Sequence, residues 1–151
     1  MKGASIGDCP FCAIAMGHDA SPEIVASERD WLAFFPIDPA TPGHTLIIPR
    51  EHLADLWEVE PPLHSTLMAA AIQLGRAVRD ATDAQGMNLI TSAGSAAEQT
   101  VYHLHLHLVP RWSHDGFGSI WPITGTTHTD ARLDGVASRI RRLWEQASCP
   151  T

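Results

Sequence analysis

The sequence predicts an α+β domain, and three observations carry that prediction. Short β-branched or apolar runs, bounded by Gly, Pro and charged residues, occur at residues 24–27, 31–35, 44–48 and 87–91. Leu63, Leu67, Ala70, Ala71, Leu74, Ala77, Val78 and Ala81 keep the spacing of one helical face. Residues 101–109 alternate without a break between two kinds of side chain. Strands of antiparallel type separated by one long helix make a segregated α+β fold. The 151 residues suit one domain, expected to comprise a motif-bearing core over residues 9–111 and a tail with a helix over residues 112–147. With 44% hydrophobic and 18% charged residues the chain has a globular balance, which excludes disordered and collagen-like classes.

The elements follow in order. Residues 1–12 read as a loop carrying Cys9 and Cys12, and residues 13–16 as one helical turn. Residues 24–27 and 31–35 are two strands joined by the polar turn Glu28-Arg29-Asp30. Pro36, Pro39, Pro42 and Gly43 make residues 36–43 a loop. Residues 44–48 are a strand stopped by Pro49, and residues 52–57 a short helix. Pro61 and Pro62 suit the first turn of the long helix, and Gly86 follows its end. A strand over 87–91 and a small-residue loop over 92–97 come next. Residues 101–109 are a strand ended by Pro110, and the tail is irregular through Gly125. Leu133, Val136, Ala137, Ile140, Leu143 and Trp144 mark a C-terminal amphipathic helix.

Charge and sorting signals narrow the function classes. The formal net charge is −7, and the only clustered cations are Arg139, Arg141 and Arg142, interleaved with hydrophobics. A surface that coats extended nucleic acid is not expected. No uninterrupted apolar stretch approaches the roughly 18 residues of a membrane span. The first residues reach Asp8-Cys9-Pro10 with no apolar signal segment, so the expected compartment is the cytoplasm. Cys9 and Cys12 form a C-x-x-C, which in a cytosolic chain reads as metal-binding or redox. No strand precedes it, as a thioredoxin-like motif would require, and metal is therefore favoured. Cys149 is expected to be a bystander.

The alternating segment holds the chemistry. His103, His105 and His107 share one face with Val101 and Val109, while Tyr102, Leu104, Leu106 and Leu108 share the other. Three imidazoles on one face of a core strand are costly to bury without partners. Two uses fit them. Histidines of an H-x-H-x-H can bind a catalytic metal that activates water. Alternatively, the central histidine attacks phosphorus while its neighbours hydrogen-bond to the anionic oxygens.

The segment His103-Leu104-His105-Leu106-His107-Leu108-Val109 resembles the signature of the histidine triad (HIT) superfamily. Gln99-Thr100-Val101-Tyr102 is similar to the run that precedes it there. Gly43-His44-Thr45-Leu46-Ile47-Ile48-Pro49-Arg50-Glu51-His52 is similar to the family's Gly-His-x-Leu-Val-Ile-Pro-Lys-x-His. Cys9-Pro10-Phe11-Cys12 resembles the N-terminal Cys-x-Phe-Cys of the zinc-bearing, Hint-like branch. The resemblance implies a five-stranded antiparallel sheet with one long helix and a C-terminal helix, paired as a homodimer.

For activity it implies a nucleotide hydrolase or transferase. Such an enzyme cleaves a nucleoside 5′-phosphoramidate or phosphoanhydride at the α-phosphate through a covalent nucleotidyl-histidine. The ligand would be a purine nucleotide or nucleotide conjugate. The implied catalytic residues are His105 as nucleophile, His107 as a hydrogen-bond partner of the phosphate and leaving atom, and His44 in the same site, helping to position the phosphate or the imidazole. Gln99 and Thr100 would contact the phosphate. Cys9, Cys12, His52 and His103 would hold a structural zinc ion, closed at all four positions. The alternative in another class is a nucleotide-binding regulatory protein of this fold with little turnover; a third reading is a metallohydrolase that uses the triad itself.

The chain departs from the family's pattern in places. Pro36 stands where many members carry an acid that grips the ribose, which leaves Asp38 as the candidate for that contact. Ser92 holds the loop position usually occupied by Asn. Glu98 replaces a loop glycine, and its charge, where it faces the site, weakens anionic ligands. His18, His64, His114 and His128 fall outside the motifs and are expected on the surface, as is Arg111. Trp112, Phe117 and Trp121 are expected to serve packing, and Gly116 and Gly118 lack the helix and Lys of a phosphate loop.

Overall fold

In the computed structural model, residues 6–121 and 130–147 are described. His128, Cys149 and the tail between residues 122 and 125 lie outside them. The chain forms two units, Met1–Phe117 and Gly118–Thr151, and the first contains the cysteine pair and the histidine-bearing motifs. Its sheet has five strands: β1 (Ile24–Ser27), β2 (Trp31–Phe34), β3 (Thr45–Pro49), β4 (Gly86–Ile90) and β5 (Leu106–Arg111). Their spatial order is β1-β2-β3-β5-β4, with every neighbouring pair antiparallel. Two helices belong to this unit, α1 (Pro10–Ala15) and α2 (Leu63–Thr82).

Strand alternation divides the core between the two sheet faces. Ala33, Ile47, Leu106 and Leu108 join Leu104 and the α2 residues Leu67 and Ala71 in one buried cluster. Leu32, Phe34, Leu46 and Ile48 pack with Ile14 and Ala15 of α1 in the other, with Phe11 against them. The helical face read from the sequence is the one α2 buries, through Leu67, Ala70 and Ala71. Asp83 ends the helix in a left-handed conformation (φ 51°), its N–H donating to the Arg79 carbonyl. Leu67 is 2% exposed, and its truncation to alanine would cost about 2–5 kcal/mol. Gly43 leads into β3 at φ +83°, where an added Cβ would lie 2.7 Å from the Thr82 methyl, so only glycine lets the chain pass the end of α2.

Several boundaries differ from the sequence expectation. The segment expected to be a strand over 101–109 enters the sheet only at Leu106, because the β3–β5 ladder ends at the Ile47–Leu106 pair. Beyond it stands Pro49, which has no N–H to offer. Its carbonyl accepts from the His103 ring at 2.9 Å, and the Leu104 N–H donates instead to Leu53 O at 2.6 Å. At the other end, β5 runs through Pro110 to Arg111. The β3 ladder stops at Thr45–Leu108, so the missing Pro110 N–H breaks no pairing, and the Thr41 hydroxyl donates to Pro110 O at 2.8 Å.

Residues 52–57 are not a helix. A 3-10 turn at Leu56–Glu58 replaces it, with the Asp55 carboxylate accepting from the Trp57 N–H at 2.9 Å. The first helix starts at Pro10 rather than residue 13, so Cys12 is helical and Cys9 is the residue before the helix. Arg111 is half-buried rather than solvent-facing. It donates to Asp115 and Asn88 and lies 4.2 Å from the Phe117 ring centroid. In the second unit α3 (Asp130–Ala147) leaves Val136, Ile140, Leu143 and Trp144 exposed along one stripe.

Candidate functional site

The alternation places Leu104, Leu106 and Leu108 in the α2-side core and turns the three histidines the other way. His103 is fully buried, His105 nearly so and His107 half-buried. Each ring is partnered, and the partners determine which nitrogen keeps a lone pair.

His103 donates from Nε2 to Pro49 O, which leaves Nδ1 as its acceptor. That nitrogen lies 3.5 Å from both Cys9 Sγ and Cys12 Sγ. Cys12 Sγ is 3.2 Å from His52 Nδ1, and the four donor atoms of Cys9, Cys12, His52 and His103 lie within 4.8 Å of one another. A tetrahedral zinc ion with Zn–S about 2.3 Å and Zn–N about 2.05 Å requires S···N edges of about 3.6 Å. Two thiols and two imidazoles at these distances form a cluster able to hold such an ion. Burial, with Cys9 alongside, pushes the Cys12 thiol up to about 11, as expected for a thiolate site that requires a cation.

His105 is anchored the opposite way. Its Nδ1–H donates to His103 O at 2.7 Å, so Nε2 carries the lone pair. Burial holds its pKa below the usual histidine value, against the pull of that carbonyl, and the neutral ring is favoured. The Thr91 hydroxyl donates to His105 O at 3.0 Å and fixes the backbone there.

His44 and His107 form a relay. The Ala40 N–H donates to His44 Nδ1 at 3.0 Å, so the His44 proton sits on Nε2. From there it donates to His107 Nδ1 at 2.9 Å, with the two rings stacked at 5.1 Å. His107 in turn carries its proton on Nε2 and is a donor. Burial, then His105 and His44, lowers the His107 pKa to about 4, and burial followed by His105 lowers that of His44. The arrangement therefore presents one lone pair, on His105, beside an N–H donor on His107. The ring centroids of the two are 4.9 Å apart.

The remaining expected residues fall into two groups. Gln99 is buried, and its amide is fully engaged by the loops. Its Oε1 accepts from the Gly94 N–H at 2.7 Å, and its Nε2 donates to Ala54 O at 2.6 Å and Val101 O at 3.1 Å. Thr100 and Asp38 are exposed and Ser92 half-buried, and none of the three hydrogen-bonds to the histidines. Glu98 is exposed with φ 63°, in the left-handed region, where the family pattern has glycine. His18, His64 and His114 are exposed, as expected. Sequence reasoning missed Ala40, Thr91 and the Pro49 carbonyl, which act through backbone groups or a lone hydroxyl that no periodicity marks.

A buried thiol–imidazole cluster beside a graded set of neutral histidines, on a five-stranded antiparallel sheet, defines a histidine-triad type of protein. The HIT domain model matches residues 19–114, and the chain belongs to the HIT family. It is 33% identical over 136 residues to Protein hit of Bacillus subtilis, covering 89% of this chain and 93% of that one. Adenylylsulfatase HINT3 of Arabidopsis thaliana is 31% identical over 88% of this chain and 66% of its own length. Adenosine 5′-monophosphoramidase HNT1 of Candida albicans is 29% identical over 82% of this chain and 84% of its own. Among solved structures, a HIT family member from Bacillus subtilis superposes with TM-score 0.80 at 32% identity, covering 89% of this chain and 96% of that one. A zinc-bound histidine triad family protein from Mycobacterium smegmatis does so with TM-score 0.68 at 32% identity, covering 87% and 99%. No helix among the described residues is long and apolar enough to cross a membrane.

Proposed function

We propose that this protein is a nucleotide hydrolase or transferase that cleaves a nucleoside 5′-phosphoramidate or phosphoanhydride at the α-phosphate. The observation that carries this reading is the lone pair on His105 Nε2, left free because Nδ1–H is held by the His103 carbonyl. Relatives named for adenylylsulfatase and adenosine 5′-monophosphoramidase activities support the reaction class.

In the first step the Nε2 lone pair forms an N–P bond as the bond from phosphorus to the leaving nitrogen or oxygen breaks, and the leaving atom takes a proton from solvent. In the second, a water oxygen attacks phosphorus and gives its proton to solvent, the N–P pair returns to Nε2, and the nucleoside monophosphate departs. The His107 Nε2–H hydrogen-bonds to the phosphate and the leaving atom, with its tautomer held by His44. Thr100 and Ser92 supply hydroxyls near the phosphate, Asp38 is the carboxylate available to the ribose, and Gln99 holds the loop that carries Thr100.

Cys9, Cys12, His52 and His103 hold a zinc ion whose part is structural, since all four positions are protein donors. The functional unit is a homodimer. Met68, Ile72 and Leu89 are exposed along α2 and β4, beside a depression of about 300 Å³ lined by Ile72, Gly75, Met87 and Leu89, and among the described residues the outer edge of β4 has no partner strand in the sheet.

The test is AMP release from adenosine 5′-phosphoramidate by the native protein and by folded His105→Ala. Turnover by the native protein, with a loss of about 10³-fold or more in the variant, is expected. Equal turnover by both overturns the nucleophile and favours a metallohydrolase. Tight nucleotide binding with no turnover by either, on phosphoramidates or dinucleoside polyphosphates, favours the regulatory binding protein.

A further inference from the structure

The mechanism above leaves unused the residue enclosed by the two thiols. Phe11 stands between Cys9 and Cys12 in the first turn of α1. Its ring meets three others: Phe34 at 5.6 Å between centroids, His103 at 5.9 Å and His105 at 5.3 Å. The contact with His105 is close to perpendicular, at 84°. His105 thus has Phe11 and His107 as aromatic neighbours, and among the described residues its only ring hydrogen bond is the one to His103 O. Two physical paths therefore run from the thiol–imidazole cluster to the His105 imidazole. One passes through His103, whose ring belongs to the cluster and whose carbonyl anchors His105. The other passes through Phe11, whose backbone is held at both ends by cluster residues.

We propose that Phe11 is a positioning residue for the His105 imidazole, and that occupancy of the Cys9–Cys12–His52–His103 cluster sets the ring's orientation through it. A hydrogen bond at Nδ1 alone leaves the ring free to pivot about that contact. A perpendicular aromatic neighbour restricts the pivot and holds Nε2 on one line of approach. Misplacement of a reacting atom by about 1 Å costs up to about a hundredfold in rate, so a neighbour that removes part of this freedom acts on the rate of the chemical step rather than on binding. The ion itself stays outside the reaction; its effect is to keep Pro10 and Phe11 pinned between the thiols. The inference rests on the proposed role of His105 for its kinetic consequence, but not for its structural one.

The two can be read separately. Imidazole ¹⁵N resonances of His105, assigned by comparison with His105→Ala, report its tautomer and ring mobility without any substrate. In the zinc-loaded native protein the Nδ1–H form should appear as a single sharp state. Phe11→Ala, with metal content unchanged, should give a broadened or mixed-tautomer signal, and Phe11→Tyr should restore the native one. Chelator-treated native protein should resemble Phe11→Ala. Should the alanine variant fail to fold, Phe11→Leu keeps the volume without the flat ring and should show the same broadening. Unchanged His105 resonances in a folded Phe11 variant that retains its metal overturn the proposal, whatever the activity.

Kinetics add the second readout. A fall of about tenfold in kcat with KM within about twofold is expected for Phe11→Ala, again rescued by Phe11→Tyr. A raised KM with native kcat would make Phe11 a ligand contact and overturn the positioning role. Absence of turnover in the native protein, with the resonance changes still present, would defeat the hydrolase reading while leaving the coupling of Phe11 to His105 in place.

Discussion

His103 and His105 are two residues apart on the segment that leads into β5, and both are buried. They nevertheless hold opposite nitrogens in reserve. His103 anchors Nε2 to the Pro49 carbonyl and turns Nδ1 to the thiols; His105 anchors Nδ1 to the His103 carbonyl and leaves Nε2 bare. The first belongs to a closed set of four soft or borderline donors. The second stands beside His107, whose tautomer is held by His44, while its own is fixed by the His103 carbonyl. The role of each imidazole thus follows from which of its nitrogens meets a backbone carbonyl, and the residue type and burial are common to both.

Exchange of function between the two clusters should be impossible, and the variants that show this rank by size. The largest effect is chemical: folded His105→Ala loses about 10³-fold or more of the AMP-releasing activity, with little change in zinc content. Next is the closed cluster. Cys12→Ser should lower bound zinc and cost several kcal/mol of stability, seen as a fall of roughly 10 °C in Tm. A Cys12→Ser protein with native Tm would break the contrast, since its cluster would then carry no structural role.

A smaller effect tests the loop that serves both clusters. Gln99→Ala removes an amide that joins the Gly94, Ala54 and Val101 backbone, and should cost about 2 kcal/mol by denaturant unfolding. An unchanged midpoint with a raised KM would instead make Gln99 a phosphate contact. The last effect shows only in acid. His107 has a folded pKa of about 4, below the ordinary 6.5, so between those values the unfolded chain binds more protons than the native one. Stability should therefore fall as pH drops from about 6.5 towards 4 and level off below. His107→Asn should flatten that acid slope in unfolding measurements, and a steeper slope in this variant would contradict the assignment of a neutral, proton-donating ring.

The long helix, the five strands and the histidine-bearing face were legible because each is a local periodicity. Alternation at Leu104, Leu106 and Leu108 predicts one core face, and these residues bury there together with Leu67 and Ala71 of α2. The Cys9–Cys12 pair and the run around His44 and His52 were legible as motifs, and the structure brings the donor atoms of Cys9, Cys12, His52 and His103 within 4.8 Å. Other features were not. The expected strand beginning at residue 101 enters the sheet five residues later, since Pro49 offers no N–H across the gap. Arg111 was expected in solvent because nothing local reveals that Asp115 and Phe117 fold back over it.

By itself, the sequence determined the class of fold, the order of its elements and the side chains available for chemistry, since spacings of two and of three or four residues are properties of the chain itself. Only the tertiary structure decided which nitrogen of each histidine is free. Those choices are made by Pro49 O for His103, Ala40 N–H for His44 and the His44 ring for His107. Two of these partners lie more than fifty positions away along the chain, at separations of 54 residues for His103 and Pro49 and 63 for His44 and His107. A hydrogen bond between such groups depends on where the sheet and its loops place them in space, and no local pattern of residue types encodes that placement.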